Sequence, residues 1–180
     1  MNWVLGAVVG VLGVGLLVVL VLIVVGTLTP SGHKASRSVS YRASPDTVWR
    51  AITDWGGHAA WRSKVRAIER LPDRNGHPVW RETRRRGDAL TSEVVELDEA
   101  KRRMVTRIVD EGAFGGTWTW EVGASPDGAG SLLTITEDGE IYNPVFRAIG
   151  TWLLDMRATM DRLHRDLKAK LGEPPPVFGD

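Results

Sequence analysis

The sequence predicts an α+β protein in which an antiparallel sheet is covered by a long C-terminal helix and preceded by a separate hydrophobic helix. Three observations predict this class: an uncharged apolar run over residues 3–25, short alternating segments between residues 36 and 137, and an amphipathic segment over residues 143–171. Periods of two and of 3.6 residues distinguish strands from helices. A long apolar stripe on a helix needs an extended apolar surface to cover it, which indicates a fold able to form a cavity.

Composition divides the 180-residue chain into two parts, because every Lys, Arg, Asp and Glu lies at or beyond Lys34. The residues after about 35 suffice for one domain with a sizeable core but not for two. The formal net charge of +1 provides no basic excess for gripping phosphates, which argues against nucleic-acid binding. The absence of cysteine excludes disulfides, thiolate zinc sites and cysteine nucleophiles.

The first helix, predicted over residues 1–26, is expected to cross a membrane. Its uncharged run over residues 3–25 exceeds the roughly 20 residues that a bilayer requires. A cleaved signal peptide is the alternative, although no basic residue precedes the run and the run is longer than a typical signal core. Because Lys34, Arg37 and Arg42 follow the helix, the positive-inside rule predicts a single-pass membrane protein with its folded domain in the cytoplasm.

Two segments of low packing propensity border the predicted domain of residues 36–172. Residues 27–35 are rich in Thr, Ser, Pro and Gly, which predicts a flexible tether that holds the domain within roughly 20 Å of the membrane. Residues 173–180 contain three consecutive prolines and are expected to form an unpacked Pro-rich tail.

The elements of the domain follow in a simple order. Residues 36–42 alternate as a first strand, and Ser44 with Pro45 provides the N-cap and first position of a helix that ends at residues 56–57, before a short helical turn. Six more strands joined by short turns must be antiparallel, and the Asn75-Gly76 pair is the strongest hairpin signal. These strands are predicted over residues 65–71, 78–85, 90–97, 103–109, 117–124 and 131–137.

The final helix is predicted to begin at Asn143, whose side chain can cap free N–H groups ahead of Pro144, and to end before Gly172. Its apolar side chains recur at spacings of three and four and form one continuous stripe that is expected to cover the sheet. The stripe consists of Phe146, Ile149, Leu153, Met156, Met160, Leu163 and Leu167.

Several local phrases, taken in this order, resemble the START-like superfamily of helix-grip domains (SRPBCC), in particular the polyketide cyclase/dehydrase and lipid-transport group. The phrases are residues 43–49, residues 55–61, residues 96–98 followed by 102–104, and residues 143–144. The resemblance implies a strongly curved sheet that grips the C-terminal helix around an apolar cavity, which in many relatives holds a lipid, sterol or polyketide. It does not imply catalysis, because members range from carriers and sensors to cyclases without a shared catalytic motif.

A candidate ligand site follows from the aromatic residues and methionines. Trp118 and Trp120 are two apart and share one strand face, and Trp80 has a similar position on another strand. A concave face would turn these rings toward the final helix, where the facing side chains are Trp152, Met156 and Met160. The alternative is that the same side chains simply fill the core.

Glu82 is the candidate polar group, because it shares the face of Trp80. A buried carboxylate needs a partner or a raised pKa, and Arg84 or Arg107 is the candidate partner. Burial of the opposite face would instead leave Glu82 in solvent. Arg84 to Arg86 would alternatively meet anionic lipid head groups at the membrane.

The first functional hypothesis is a membrane-anchored module that binds a hydrophobic small molecule or lipid without chemistry. The alternative is a cyclase or dehydratase acting on an apolar substrate, in which Glu82 is the acid or base and Arg84 or Tyr142 polarises a carbonyl. A third reading is an interaction domain whose cavity is filled by its own tryptophans. The sequence does not define the oligomeric state.

No cofactor or metal is expected. No Gly-rich phosphate loop follows a strand and opens a helix, which argues against a nucleotide cofactor. The histidines show no metal-ligand spacing and no pairing in a nucleophile motif. They are His33, His58, His77 and His164.

Overall fold

The fold is given by a computed structural model, which describes residues 2–110, 112–153 and 156–178 and, within them, the side chains other than those of residues 2, 5, 150–153 and 156. The helices are α1 (Asn2–Leu28), α2 (Pro45–Thr53), α3 (His58–Trp61), α4 (Pro144–Leu153) and α5 (Met156–Lys170), with a 3-10 turn at Trp55–Gly57. The strands are β1 (Gly32–Tyr41), β2 (Val65–Arg74), β3 (His77–Arg84), β4 (Ala89–Asp98), β5 (Arg103–Val109), β6 (Phe114–Ala124) and β7 (Ser131–Ile141).

The seven strands form one antiparallel sheet in the order β1-β7-β6-β5-β4-β3-β2, which confirms the predicted α+β class. β1 and β2 are the edge strands, and α2, the 3-10 turn and α3 connect them across the open side of the sheet. Register shifts in β2 and between Val94 and Glu96 of β4 mark bulges. Bulges increase local twist and bending, as a sheet that curls around a helix requires.

Local signals in the sequence account for the start of α2 and for the β2–β3 turn. The Ser44 hydroxyl accepts a hydrogen bond from the Thr47 N–H at 3.3 Å, and Pro45 occupies the first turn of α2. Asn75 and Gly76 have φ angles of 52° and 81°, the left-handed pair that a two-residue hairpin turn needs. Both features agree with the sequence-based predictions.

The hydrophobic core lies on one face of the sheet, which is the concave face because α2 and α5 pack against it. Register pairing places side chains from strands β4 to β7 and β1 in this core, together with one side of α2 and the Met160, Leu163 and Leu167 side of α5. The strand members are Val39, Tyr41, Val94, Met104, Trp120, Val122, Leu133 and Ile135. The apolar stripe of the final helix therefore covers the sheet over α5, as predicted.

Polar contacts fix α5 to both sides of the open sheet. The Arg37 guanidinium on β1 donates to both Asp161 oxygens at 2.6 and 3.1 Å. On the other side, the backbone N–H and hydroxyl of Ser63 donate to Asp166 at 2.8 and 2.9 Å. Bidentate and charge-assisted bonds of this kind set the orientation of a helix as well as its position.

The N-terminal part of the predicted final helix does not pack against the sheet as the apolar stripe predicted. Phe146 is 54% exposed, and α4 packs against α1. A Cβ on Gly26 would lie 1.7 Å from the Pro144 carbonyl oxygen, so only glycine permits this approach of the two helices. The prediction of one stripe facing the sheet over residues 146–167 is wrong at Phe146, because the apolar α1 offers α4 a second surface. The side chains of Leu153 and Met156 lie outside the described residues.

Arg147 locks the junction between α1, α4 and β7. Its guanidinium donates to the Gly26 and Thr29 carbonyls at 3.2 and 3.3 Å and to the Ile141 carbonyl at 2.9 and 3.0 Å. The positive charge also lies at the C-terminal end of α1, where the helix dipole favours it.

The two bordering segments are more ordered than the sequence predicted. The tether predicted over residues 27–35 is mostly regular structure, because α1 continues to Leu28 and β1 begins at Gly32. The tail is held at Glu173 and Phe178, although Val177 between them is exposed. The Glu173 carboxylate accepts bonds from the Arg42 and Ala43 N–H groups at 3.0 and 2.9 Å and pairs with Lys168 at 2.6 Å, and the Phe178 ring lies under the Arg37 guanidinium. Composition could not reveal these long-range partners.

A buried Tyr41–His164 pair gives the fold a defined pH dependence. The Tyr41 hydroxyl lies 2.8 Å from His164 Nδ1, and burial lowers the pKa of His164 to about 4 while raising that of Tyr41 well above its ordinary value. The phenol therefore stays protonated and the imidazole neutral, and the two groups share one hydrogen bond. Burial also lowers the pKa of His58 to about 3.

We expect the free energy of unfolding to fall as the pH is lowered from about 6.5 to about 4, because the unfolded chain takes up protons that these histidines refuse in the folded state. Each histidine contributes up to about 1.4 kcal/mol per pH unit within that window. His164→Gln should make the slope shallower by this amount in urea unfolding followed by tryptophan fluorescence. The slopes should coincide above pH 7, and equal slopes between pH 6 and 5 would contradict the assignment.

Candidate functional site

The candidate site lies on the concave face, at the end of the sheet away from the closely packed core. Register pairing aligns Thr106, Trp118, Glu137 and Ala35 in one row across β5, β6, β7 and β1. The next row, toward the core, contains Trp120, which is buried. Trp118 is only half-buried, so its ring borders space that the core does not fill.

The sequence-predicted site residues with described side chains form two groups, those that are only half-buried on the concave face and those that belong to the core. Trp80, Trp118 and Trp120 lie on the concave face of β3 and β6, and Met160 of α5 is fully buried in the core behind them. Trp120 and Met160 belong to the core, which is the structural role that the sequence left open for them. The side chains of Trp152 and Met156 lie outside the described residues.

A second indole supports Trp80 from the connection between β1 and β2. The rings of Trp55 and Trp80 are stacked, with centroids 6.0 Å apart and planes 9° from parallel. Trp55 also lies 5.2 Å from the ring of His58, which in turn contacts Trp61. This aromatic wall closes one side of the concave face, while Trp118 lies across it on β6.

Glu82 is buried on the concave face, where arginine side chains balance its charge. Its carboxylate, 7% exposed, accepts a hydrogen bond from Arg62 at 2.5 Å, and Arg84 lies 3.6 Å from its other oxygen. The sequence named Arg84 as one possible partner but missed Arg62, which follows α3 and reaches β3 only in the fold. Arg107 alternates with Thr106 and Ile108, so it lies on the opposite face.

A second carboxylate on the concave face was not predicted. Glu137 pairs in register with Trp118, and its Oε1 lies 3.7 Å from His33 Nε2. Burial raises the pKa of Glu137, and the neighbouring imidazole only partly opposes this shift. The signal was present in the sequence, since Leu133, Ile135 and Glu137 alternate along β7 and share one face.

Tyr142 lies away from these groups, beyond the end of β7, and is 49% exposed. It therefore does not join Glu82 in the arrangement that the sequence allowed for carbonyl polarisation. Arg85 and Arg86 are exposed after β3, in keeping with a solvated turn.

A separate groove of about 520 Å³ runs outside the concave face, between the edge strand β1 and the C-terminal tail. Its lining combines the β1 segment 37–42 with the β6–β7 loop, Lys168 and residues 174–178. The Phe178 ring closes one end, 4.9 Å from the Arg37 guanidinium carbon. This groove was not predicted.

The concave site is chemically suited to an apolar molecule that carries a polar group. Indole rings provide flat apolar contacts, while Glu137 and the Glu82–Arg62 pair provide hydrogen-bond acceptors and donors at the edge. Within the described part of the chain, no group of three or more His, Asp or Glu residues is placed to hold a metal ion.

The two arginines near Glu82 allow a matched test of its burial. We expect Arg62→Ala to lower the free energy of unfolding by about 2 kcal/mol, because it leaves the carboxylate without its closest partner. Arg84→Ala should cost less than about 1 kcal/mol, since Arg84 is more exposed and farther from the carboxylate. Equal losses in chemical denaturation would show that Glu82 does not depend on Arg62.

Comparison with solved structures identifies the same architecture in several proteins. The Zhui aromatase/cyclase from Streptomyces sp. R1128 aligns with a TM-score of 0.65 at 18% identity, covering 78% of this chain and 94% of that chain. A START superfamily protein from Mycobacterium smegmatis gives 0.58 at 17% identity, covering 78% and 97%. Norcoclaurine synthase from Thalictrum flavum gives 0.59 at 12% identity, covering 78% and 94%. At sequence identities this low, the structural similarity establishes the fold alone.

No curated protein matches the chain in sequence. The family model described as "Polyketide cyclase / dehydrase and lipid transport" matches residues 32–172. This range begins with β1 and includes every strand of the sheet, the concave face and α5. The chain therefore belongs to the polyketide cyclase/dehydrase and lipid-transport family.

Proposed function

We propose that this protein is a membrane-anchored module that binds a hydrophobic small molecule or lipid between the concave face of the sheet and the C-terminal helix, without chemical conversion. The observation that carries the proposal is the pair of indoles on the concave face, Trp80 and Trp118, which pack against the core but are only half-buried. A domain whose cavity was filled by its own tryptophans would bury both rings. Family membership supports the choice of an apolar ligand.

The polar groups of the site favour binding over catalysis at Glu82. The Glu82 carboxylate is held by Arg62 at 2.5 Å and flanked by Arg84, so its oxygens are already engaged by protein donors. The same ion pair would serve well as a fixed hydrogen-bonding point for the polar end of an amphipathic ligand.

The helix α1 supports the anchoring part of the proposal. Residues Gly6–Leu28 are long and apolar enough to cross a bilayer, and apart from Gly26 and a half-buried Leu22 the described side chains along this span are exposed. Exposed apolar side chains over such a length need lipid around them. We place the domain, residues 32–172, on the cytoplasmic side because Lys34, Arg37 and Arg42 follow the helix.

The binding proposal is tested by native mass spectrometry and solvent extraction of the full-length protein purified in nanodiscs. Trp118→Ala should lower ligand occupancy about tenfold, because the loss of one aromatic contact is worth roughly 1–2 kcal/mol. Thr119→Ala is the matched control, since residue 119 is adjacent on β6 but faces the other side. Occupancy that is unchanged in Trp118→Ala, or a wild-type protein without ligand, would contradict the proposal.

A second candidate function is supported by Glu137. A carboxyl group whose pKa is raised by burial, beside His33 and in register with Trp118, has the properties of a general acid. In this alternative the protein is a cyclase or dehydratase of an apolar substrate, with Glu137 in the role that the sequence assigned to Glu82.

The two functions give different results with Glu137→Gln. A binding module should retain the same bound molecule in wild type and variant, as identified by its mass after extraction. An enzyme should instead accumulate a different molecule in the variant, because unconverted substrate replaces product. We expect identical masses, and a reproducible mass difference would establish the enzymatic alternative.

A further inference from the structure

A group of exposed aromatic side chains lies where α1 meets the domain. Phe114, Tyr142 and Phe146 are 38%, 49% and 54% exposed, respectively. Phe114 pairs in register with Ile141, and the Tyr142 N–H donates to the Ala113 carbonyl at 2.9 Å, so the two backbones are adjacent, with the Tyr142 ring over Gly115 on the other face of the strand. Phe146 follows in the first turns of α4. We call these three side chains the aromatic rim.

The position of α4 relative to α1 is fixed by close contacts. Gly26 is buried against Pro144, and Leu22, one turn earlier on the same side of α1, is half-buried while Val21 is 51% exposed. Both covered residues belong to the apolar span Gly6–Leu28. The contact between α1 and α4 therefore begins within the span and continues to its C-terminal end.

This contact determines the depth of α4 if α1 crosses a bilayer. A 23-residue span is about 35 Å long at 1.5 Å per residue, which places its last turn at the boundary between hydrocarbon and head groups. Because α4 touches that last turn, α4 must lie at the same depth. The aromatic rim lies beside this contact. Phe146 is in the first turn of α4, Tyr142 lies two residues before that helix, and Phe114 pairs with Ile141, whose N–H donates to the Ser31 carbonyl just after α1.

The chemistry of α4 fits such an environment. Arg147 is the one charged residue among residues 144–153, and its guanidinium is occupied by the backbone carbonyls of Gly26, Thr29, Ile141 and Tyr142. Arginine satisfied in this way does not require bulk water. Tyrosine and exposed apolar side chains are the residues that membrane interfaces accept.

We propose that α4 and the aromatic rim dock onto the bilayer surface, so that the domain has one fixed orientation on the membrane. The partner is the head-group and upper acyl region of the lipid bilayer that surrounds α1. The inference rests on the anchoring part of the proposed function and extends it, because it makes α4 a second membrane contact rather than part of the ligand-covering helix.

The absence of cysteine allows the proposal to be tested with single labelling sites. Phe146→Cys in the full-length protein is labelled with the environment-sensitive fluorophore NBD and reconstituted into phosphatidylcholine vesicles that contain a shallow nitroxide-labelled lipid. We expect quenching of at least about twofold, because collisional quenching requires contact with the interfacial region. Leu97→Cys is the matched control. Leu97 is also apolar and 50% exposed, but it lies near the C-terminal end of β4, away from α1 and α4. It should remain unquenched.

Leu16→Cys, in the middle of α1, separates failure of the anchor from failure of the docking. Strong quenching of this site by a deep nitroxide lipid shows that α1 is inserted. An inserted α1 together with a Phe146 site as unquenched as the Leu97 site would overturn the docking of α4 and leave the anchor intact. An unquenched Leu16 site would overturn both.

Discussion

The structure depends on the burial of α5 in the hollow of the sheet. An antiparallel sheet with one apolar face cannot remain open to water, and Met160, Leu163 and Leu167 provide the surface that closes it. At about 25 cal/mol per Å² of apolar area, three fully buried side chains of this size contribute several kcal/mol, comparable to the net stability of a domain. The ion pair of Arg37 with Asp161 and the bonds of Ser63 to Asp166 then fix the helix between the two open sides of the sheet.

The helices cover the concave face unevenly, and the candidate site lies where this cover is incomplete. Near Leu133 and Val122 the concave face is filled by α2 and α5, whereas the row that contains Trp118 and Glu137 is only partly covered. At this less covered end the chain places indoles, a neutralised Glu82 and a Glu137 whose pKa is raised. Burial of a carboxylate is costly unless it is paired, and Arg62 provides this pairing for Glu82.

Much of the fold was predictable because its signals are local. Period-two alternation gave seven antiparallel strands, the Asn75-Gly76 pair gave its hairpin, and Ser44-Pro45 gave the start of α2. Periodicity could not show that Leu163 is buried against the sheet whereas Phe146 is exposed, since both belong to the same continuous stripe. That difference depends on the contact of Gly26 with Pro144, which joins residues more than a hundred positions apart.

The site was predicted less completely than the fold, for the same reason. Trp80, Trp118 and Glu82 could be assigned to a strand face because alternation defines one, and that face is the concave one. Arg62 was missed because its partner is chosen by the packing of α3, which no local pattern encodes. Glu137 was missed although its alternation with Ile135 was visible, because alternation assigns a strand face without showing whether the end of that face is covered in the fold.

Photolabelling can show whether an apolar molecule binds on the concave face next to Trp118. A diazirine-bearing fatty acid would be added to the full-length protein in nanodiscs, irradiated, and its adducts mapped by peptide mass spectrometry. We expect adducts on Trp118 and on other residues of the concave face such as Ile108. The yield of these adducts should decrease when unlabelled fatty acid competes. Adducts confined to α1, α4 and the aromatic rim, with none on the concave face, would contradict this expectation.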